Sequence, residues 1–147
     1  MSIKHEDLAQ ILKGLMTDNH LLPASVVEFA KPESSPLHGY FTWDDTEAAR
    51  EYRLFQASNL IRSVTINCTL DSGPVEMRAF VSVPGDRVHG AGYRTIEEVV
   101  SNDFLRTQLV NDMLKQAELW EKRAAILGVS LNTAPIKRLA KNIKSHK

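Results

Sequence analysis

The apolar residues of this chain change period twice, and that pattern restricts its fold more than any other feature. Through residues 5–62 they recur at three- and four-residue steps, over residues 63–83 they alternate, and over residues 105–127 the longer step returns. A step near 3.6 puts an apolar stripe on one side of a helix, and a step of two puts an apolar face on a strand. The pattern predicts an α+β chain: a three-helix part with a β-hairpin, winged-helix-like in its order, then a long C-terminal helix and a tail.

Within residues 5–17, Leu8, Ile11, Leu12 and Leu15 form the first stripe. Residues 23–31 predict a short second helix opened by Pro23, whose missing N–H has no helical partner in the first turn. Val26, Val27 and Ala30 face inward, and Pro32 ends the helix. Ser35 before Pro36 predicts a capped turn through Tyr40, followed by Phe41 and Trp43. A third helix is expected over residues 45–62. Asp44 or Asp45 stands at its N-cap, where a carboxylate accepts free N–H groups and complements the helix dipole. Ala49, Tyr52, Leu54, Phe55, Ala57, Leu60 and Ile61 are expected on its inward face, with Arg50, Glu51, Arg53 and Arg62 opposite. Trp43 is expected to be substantially buried in the corner before that helix.

Residues 63–70 alternate Val64, Ile66, Cys68 and Leu70 against polar neighbours, and residues 75–83 repeat the pattern with Val75, Met77, Ala79, Val81 and Val83. The Asp-Ser-Gly-Pro turn between them makes a hairpin. Residues 84–94 read as a loop. Thr95 or Ser101 is expected to cap a long helix with Leu105, Leu109, Met113, Ala117, Trp120, Ala124 and Leu127 on one stripe and Gly128 as its stop. Twenty-six residues of helix span roughly 39 Å, long for a chain of this size, so part of that helix is expected to project. The units expected are residues 1–94, 95–128 and 129–147.

Equal numbers of basic and acidic residues, 18 of each, conceal a division. Residues 129–147 hold Lys137, Arg138, Lys141, Lys144 and Lys147 and no acid, a charge of +5, so residues 1–128 carry −5. An acidic body with a basic tail points to the tail as the electrostatic contact for nucleic acid. The tail's apolar residues Ile136, Leu139 and Ile143 offer another reading, a strap docked on the acidic body. No apolar run reaches membrane-spanning length, no secretory leader opens the chain, and the single cysteine, Cys68, cannot form an internal disulfide. These features predict a cytoplasmic protein without a membrane contact.

Chemical motifs are sparse. None of His5, His20, His38, His89 and His146 stands at zinc-ligand spacing from another histidine or from Cys68, so no metal is expected. The Gly-rich stretch at residues 85–92 lacks the Lys-Ser/Thr of a phosphate loop, and no cofactor is expected. Cys68 reads as a buried structural thiol, and Asp44 with Asp45 as caps rather than an acid–base pair. The prediction is a protein that is not an enzyme.

The stretch SPLHGYFTWDDTEAAREYRLFQASNLIRSV resembles a segment of small proteins encoded by bacteriophages and prophages. In that family a Ser-Pro-Leu-His turn precedes Phe-x-Trp-Asp-Asp, then Ala-Ala-x-x-Tyr-Arg and later Leu-Ile-Arg, and a long helix with an aromatic-rich stripe ends the fold, as LKQAELWEKR does here. The resemblance covers about residues 23–127. It implies a phage-related cytoplasmic setting and no particular activity, because the family has no assigned function. The basic tail departs from the family's pattern.

Two functions follow as expectations. The first is a non-enzymatic accessory protein binding DNA or a DNA-bound assembly, with Arg50, Arg53 and Arg62 positioning the duplex and Lys137, Arg138, Lys141, Lys144 and Lys147 supplying affinity. The carboxylates around the third helix weigh against base contact there. The second is an oligomeric protein-interaction module, an inhibitor or assembly factor whose partner is a phage or host protein. Leu109, Met113 and Trp120 are the expected homo-oligomer interface.

Overall fold

A computed structural model describes residues 3–43 and 46–144, with the side chains of residues 47, 48, 70 and 144 excepted. The fold is mixed α and β, with two small antiparallel sheets. It divides into two compact units: Met1–Ser82 with Asp86–Glu97, and Val83–Gly85 with Glu98–Lys147.

The first unit opens with α1 (His5–Gly14), whose acids Glu6 and Asp7 stand in the first turn and Lys13 in the last, complementing the helix dipole. It buries Leu8, Ala9 and Leu12. Asp18 and Asn19 take positive φ, 48° and 62°, in a tight turn closed by reciprocal Thr17–His20 hydrogen bonds. Both residues tolerate this left-handed backbone better than most. The helix α2 (Pro23–Ala30) starts on proline and buries Val26, Val27 and Ala30. A single 3₁₀ turn (His38–Tyr40) leads to α3 (Glu47–Ser63), which packs on α2.

Strands β1 (Thr65–Leu70) and β2 (Gly73–Arg78) pair from Thr65↔Arg78 to Leu70↔Gly73, as the alternation predicts. The chain then shifts phase. Ala79 and Phe80 are consecutive and both buried, which no continuous strand with one apolar face permits. The N–H of Ala79 donates to Val64, and β3 (Phe80–Val81) leaves the first sheet to pair with β4 (Arg94–Thr95). Phe80, Leu12, Leu21, Leu37, Ile61 and Val64 lie at the centre of this unit's core.

Both α4 (Pro84–Val88) and the short α5 (Ile96–Ser101) have residues in each unit, and α6 (Asp103–Ile126) lies in the second. Asn102 interrupts α5 and α6 and caps the latter, its side-chain oxygen accepting from the N–H groups of Phe104 and Leu105 at 3.0 and 3.1 Å. At the other end Gly128 has φ 71°, and the N–H groups of Val129 and Gly128 bond back to Ala124 and Ala125. This is a Schellman closure. The helix α7 (Ala134–Lys144) packs on α6. The Thr133 hydroxyl donates to Glu121, and Lys137 reaches both oxygens of that carboxylate at 3.0 Å. The Thr133 hydrogen bond, then Lys137, holds the Glu121 carboxyl below the ordinary range.

Several expectations are corrected. The long helix is not continuous from Thr95 or Ser101, because Asn102 leaves the helical backbone to serve as the cap of α6. Thr46, not an aspartate, caps α3: its hydroxyl accepts from the Ala49 N–H at 3.3 Å, and Asp44 and Asp45 lie outside the described residues. Tyr52 and Phe55 stand on the outer side of α3, 52% and 56% exposed, stacked on one another, because Ala49, Ala57, Leu60 and Ile61 fill the inner face. The stretch 84–94 contains α4 and β4 rather than only loop. Cys68 is half-buried rather than buried. Among the described residues, no helix is long and apolar enough to cross a membrane.

Candidate anion-binding cleft

The corner before α3 is built from rings. Trp43 stacks on His38, with centroids 4.9 Å apart and planes at 11°, and Phe41 tilts against it at 5.8 Å. The indole N–H of Trp43 donates to the His38 carbonyl at 3.0 Å, and the Nδ1–H of His38 donates to the Ala30 carbonyl at the end of α2. Trp43 is largely but not fully buried: its ring packs against the core on one side and lines a cleft on another. Gln56 fastens the corner to α3 by accepting from the Thr42 N–H at 3.2 Å.

This framework positions Arg53. Its guanidinium lies 5.4 Å from the centre of the Trp43 ring and donates to the Thr42 carbonyl at 3.3 Å. A cation over an indole is held by the ring quadrupole. Arg50 stands one turn earlier on α3, and Lys31 follows the end of α2. With Trp43 they line a cavity of about 420 Å³, which Glu28 also borders. Among the described lining residues, three cations and one carboxylate carry a formal charge of +2, within a body that is acidic as a whole. Converging cations from two helices, one of them fixed by stacking, suit a phosphate oxygen or another anion.

The other expected contacts are dispersed. Arg62 bonds Ser58 and Asn59 on its own helix, at 3.2 and 2.8 Å. Twelve residues separate it from Arg50, roughly 18 Å of helix, so it is no part of the cleft. Lys137 is paired with Glu121, and Arg138 and Lys141 are exposed on α7. The side chain of Lys144, and Lys147 as a whole, lie outside the described residues. Leu109 is half-buried, whereas Met113 and Trp120 are 45% and 56% exposed.

A second polar cluster gave no signal in the sequence. Arg94 makes a two-pronged pair with Asp86, Nε to Oδ2 at 2.6 Å and Nη2 to Oδ1 at 3.1 Å. His20 completes it. Its Nδ1 lies 2.8 Å from the Asp18 carbonyl and must donate there, so in the neutral ring Nε2 accepts from Arg94 Nη2 at 2.7 Å. Burial raises the Asp86 pKa, but the hydrogen bonds and charge of Arg94, with the His20 ring beside it, outweigh it and hold the carboxyl below the ordinary range. The cluster clasps the turn at residues 17–20 to residues 86–94, and its three members stand 66, 74 and 8 residues apart, a separation no local pattern reveals. Among the described residues, no group of three His, Cys, Asp or Glu side chains could hold a metal ion.

No protein-family model, curated protein or solved structure matches the chain.

Proposed function

We propose that the chain is a non-enzymatic accessory protein that holds the backbone of DNA, alone or within a DNA-bound assembly, in the cleft between α2 and α3. The observation that carries this reading is the convergence of Lys31, Arg50 and Arg53 around Trp43. Phosphate contacts supply most non-specific affinity for duplex, and side chains held rigidly do so at the least cost in entropy. The arrangement we propose is winged-helix-like, with α3 toward the duplex and the β1–β2 hairpin as its wing; the helix order and the hairpin directly after α3 support it. The phage-type motif of residues 35–62 and the lone cysteine support a phage-encoded protein acting in the host cytoplasm.

The test is fluorescence anisotropy with a labelled nonspecific duplex. Replacing Lys31, Arg50 and Arg53 together by Gln abolishes binding on this reading while leaving the circular dichroism spectrum unchanged. A triple variant that binds like the parent rejects it.

A second reading is a protein-interaction module. It is favoured by the exposed apolar residues of the second unit, with Met113, Leu119 and Trp120 on α6 and Leu139 on α7.

A further inference from the structure

The turn that joins α6 to α7 leaves four apolar side chains in water. Ile126 and Leu127 are 86% and 78% exposed, and Val129 and Leu131 are 53% and 43%. They do not form a stripe. Ile126 and Leu127 are consecutive at the end of α6, about 100° apart around its axis. The closure at Gly128 then turns the chain, so Val129 and Leu131 extend the apolar surface beyond the helix. A groove in a partner covers one side of a helix, whereas a blunt apolar tip suits a medium that surrounds it.

Cations stand behind this tip. Lys122 and Arg123 are exposed and lie four or five residues before Leu127, roughly 6–8 Å along α6. Thr133 and Lys137 both bond Glu121, which sets the start of α7 beside that level of α6, and Arg138 is exposed next in the chain. Residues 122–147 hold Lys122, Arg123 and the five bases of the tail without an acid, a formal charge of +7. Glu121, the acid next to this segment in the chain, is taken up by Thr133 and Lys137. Trp120 is 56% exposed at the same level, with the Arg123 guanidinium 5.3 Å from the centre of its ring. An amphipathic element on a bilayer surface lies about 5–10 Å deep, at the boundary of headgroups and acyl chains. With the turn at that depth, Lys122 and Arg123 come level with the lipid phosphates, and Trp120 with the interface that indole rings prefer.

We infer that the α6–α7 turn is a shallow anchor for an anionic lipid surface. Residues 126–131 enter the headgroup region, and the cations behind them hold lipid phosphates. The expectation of no membrane contact rested on the lack of a spanning run, and a shallow anchor needs none. The inference is independent of the cleft between α2 and α3.

Flotation of the full chain with lipid vesicles tests it. The chain is expected to float with vesicles containing phosphatidylglycerol and to stay behind with phosphatidylcholine alone. Ile126→Ser combined with Leu127→Ser is expected to abolish flotation at unchanged circular dichroism, since both side chains already face water in the fold. Lys122→Gln combined with Arg123→Gln is expected to weaken it about thirtyfold, from the attraction that each cation contributes near an anionic surface. A wild-type chain that does not float with anionic vesicles overturns the inference. Flotation that survives the serine pair and vanishes in the glutamine pair reduces the contact to surface charge and overturns the anchor. A glutamine pair that floats like the wild type but loses binding to duplex assigns these cations to nucleic acid, which also overturns it. So does a wild type that ignores vesicles and sediments as a dimer that the serine pair dissociates, because the turn is then a contact between copies.

Discussion

Asp86 and Gly92 are single residues on which the first unit's loops depend. Asp86 is buried against Arg94, itself only 15% exposed, so removing the carboxylate breaks a two-pronged, largely buried ion pair. Asp86→Ala is expected to lower stability by about 3–5 kcal/mol, measured by urea unfolding. Because its folded pKa is depressed, Asp86 contributes stability above the unfolded-state pKa and loses it as pH falls through the folded value. The melting temperature of the wild type is therefore expected to fall on acidification more than that of Asp86→Asn. Gly92 has φ 85°, and a Cβ there would stand 2.4 Å from the Leu21 carbonyl oxygen, beside the Leu21–Tyr93 bridge. Gly92→Ala is expected to cost more than about 1 kcal/mol, since the backbone must move. Neither residue carried a signal in the sequence. The glycine looked like loop composition, and the aspartate's partners are assembled only when residues 17–20 and 86–94 meet.

At the scale of elements, periodicity located the helices and the hairpin because side-chain step alone sets which face is buried. It failed where capping decides. Thr46 and Asn102 begin their helices through side-chain oxygens, and both stand beside other capping residues, Asp44 and Asp45 in one case and Ser101 in the other. Asn102→Ala removes the acceptor for two N–H groups and is expected to cost about 1 kcal/mol in thermal unfolding. Alternation also failed at Ala79, where Val64 and Ile96 take its backbone bonds and turn the chain out of the first sheet. On α3 the large rings Tyr52 and Phe55 read as core, but the space against α2 is filled by smaller residues, so packing overrode hydrophobicity. The tail helix was legible as amphipathic; its seat on α6 was not, because Glu121 and Lys137 are sixteen residues apart. Deleting residues 134–147 is expected to lower the melting temperature, by removing the Lys137–Glu121 pair and the packing of α7 on α6.

For the molecule as a whole, the charge count pointed to the tail, whereas folding concentrates charge at another place. Lys31, Arg50 and Arg53 are separated by acids in sequence and come together only through the packing of α2 on α3 and the ring corner at Trp43. The arginines and the rings were legible as candidates; the lysine that completes the cleft was not, because it belongs to another helix. The salt dependence of duplex binding tests the cleft most directly. Each phosphate contact contributes about −0.9 to the log–log slope, so three cleft contacts are expected to give about −3, with the slope collapsing in the Lys31, Arg50, Arg53 triple variant and surviving when Arg138 and Lys141 are replaced by Gln. A slope that persists in the triple variant and vanishes in the tail variant would contradict the account and return nucleic-acid binding to the tail.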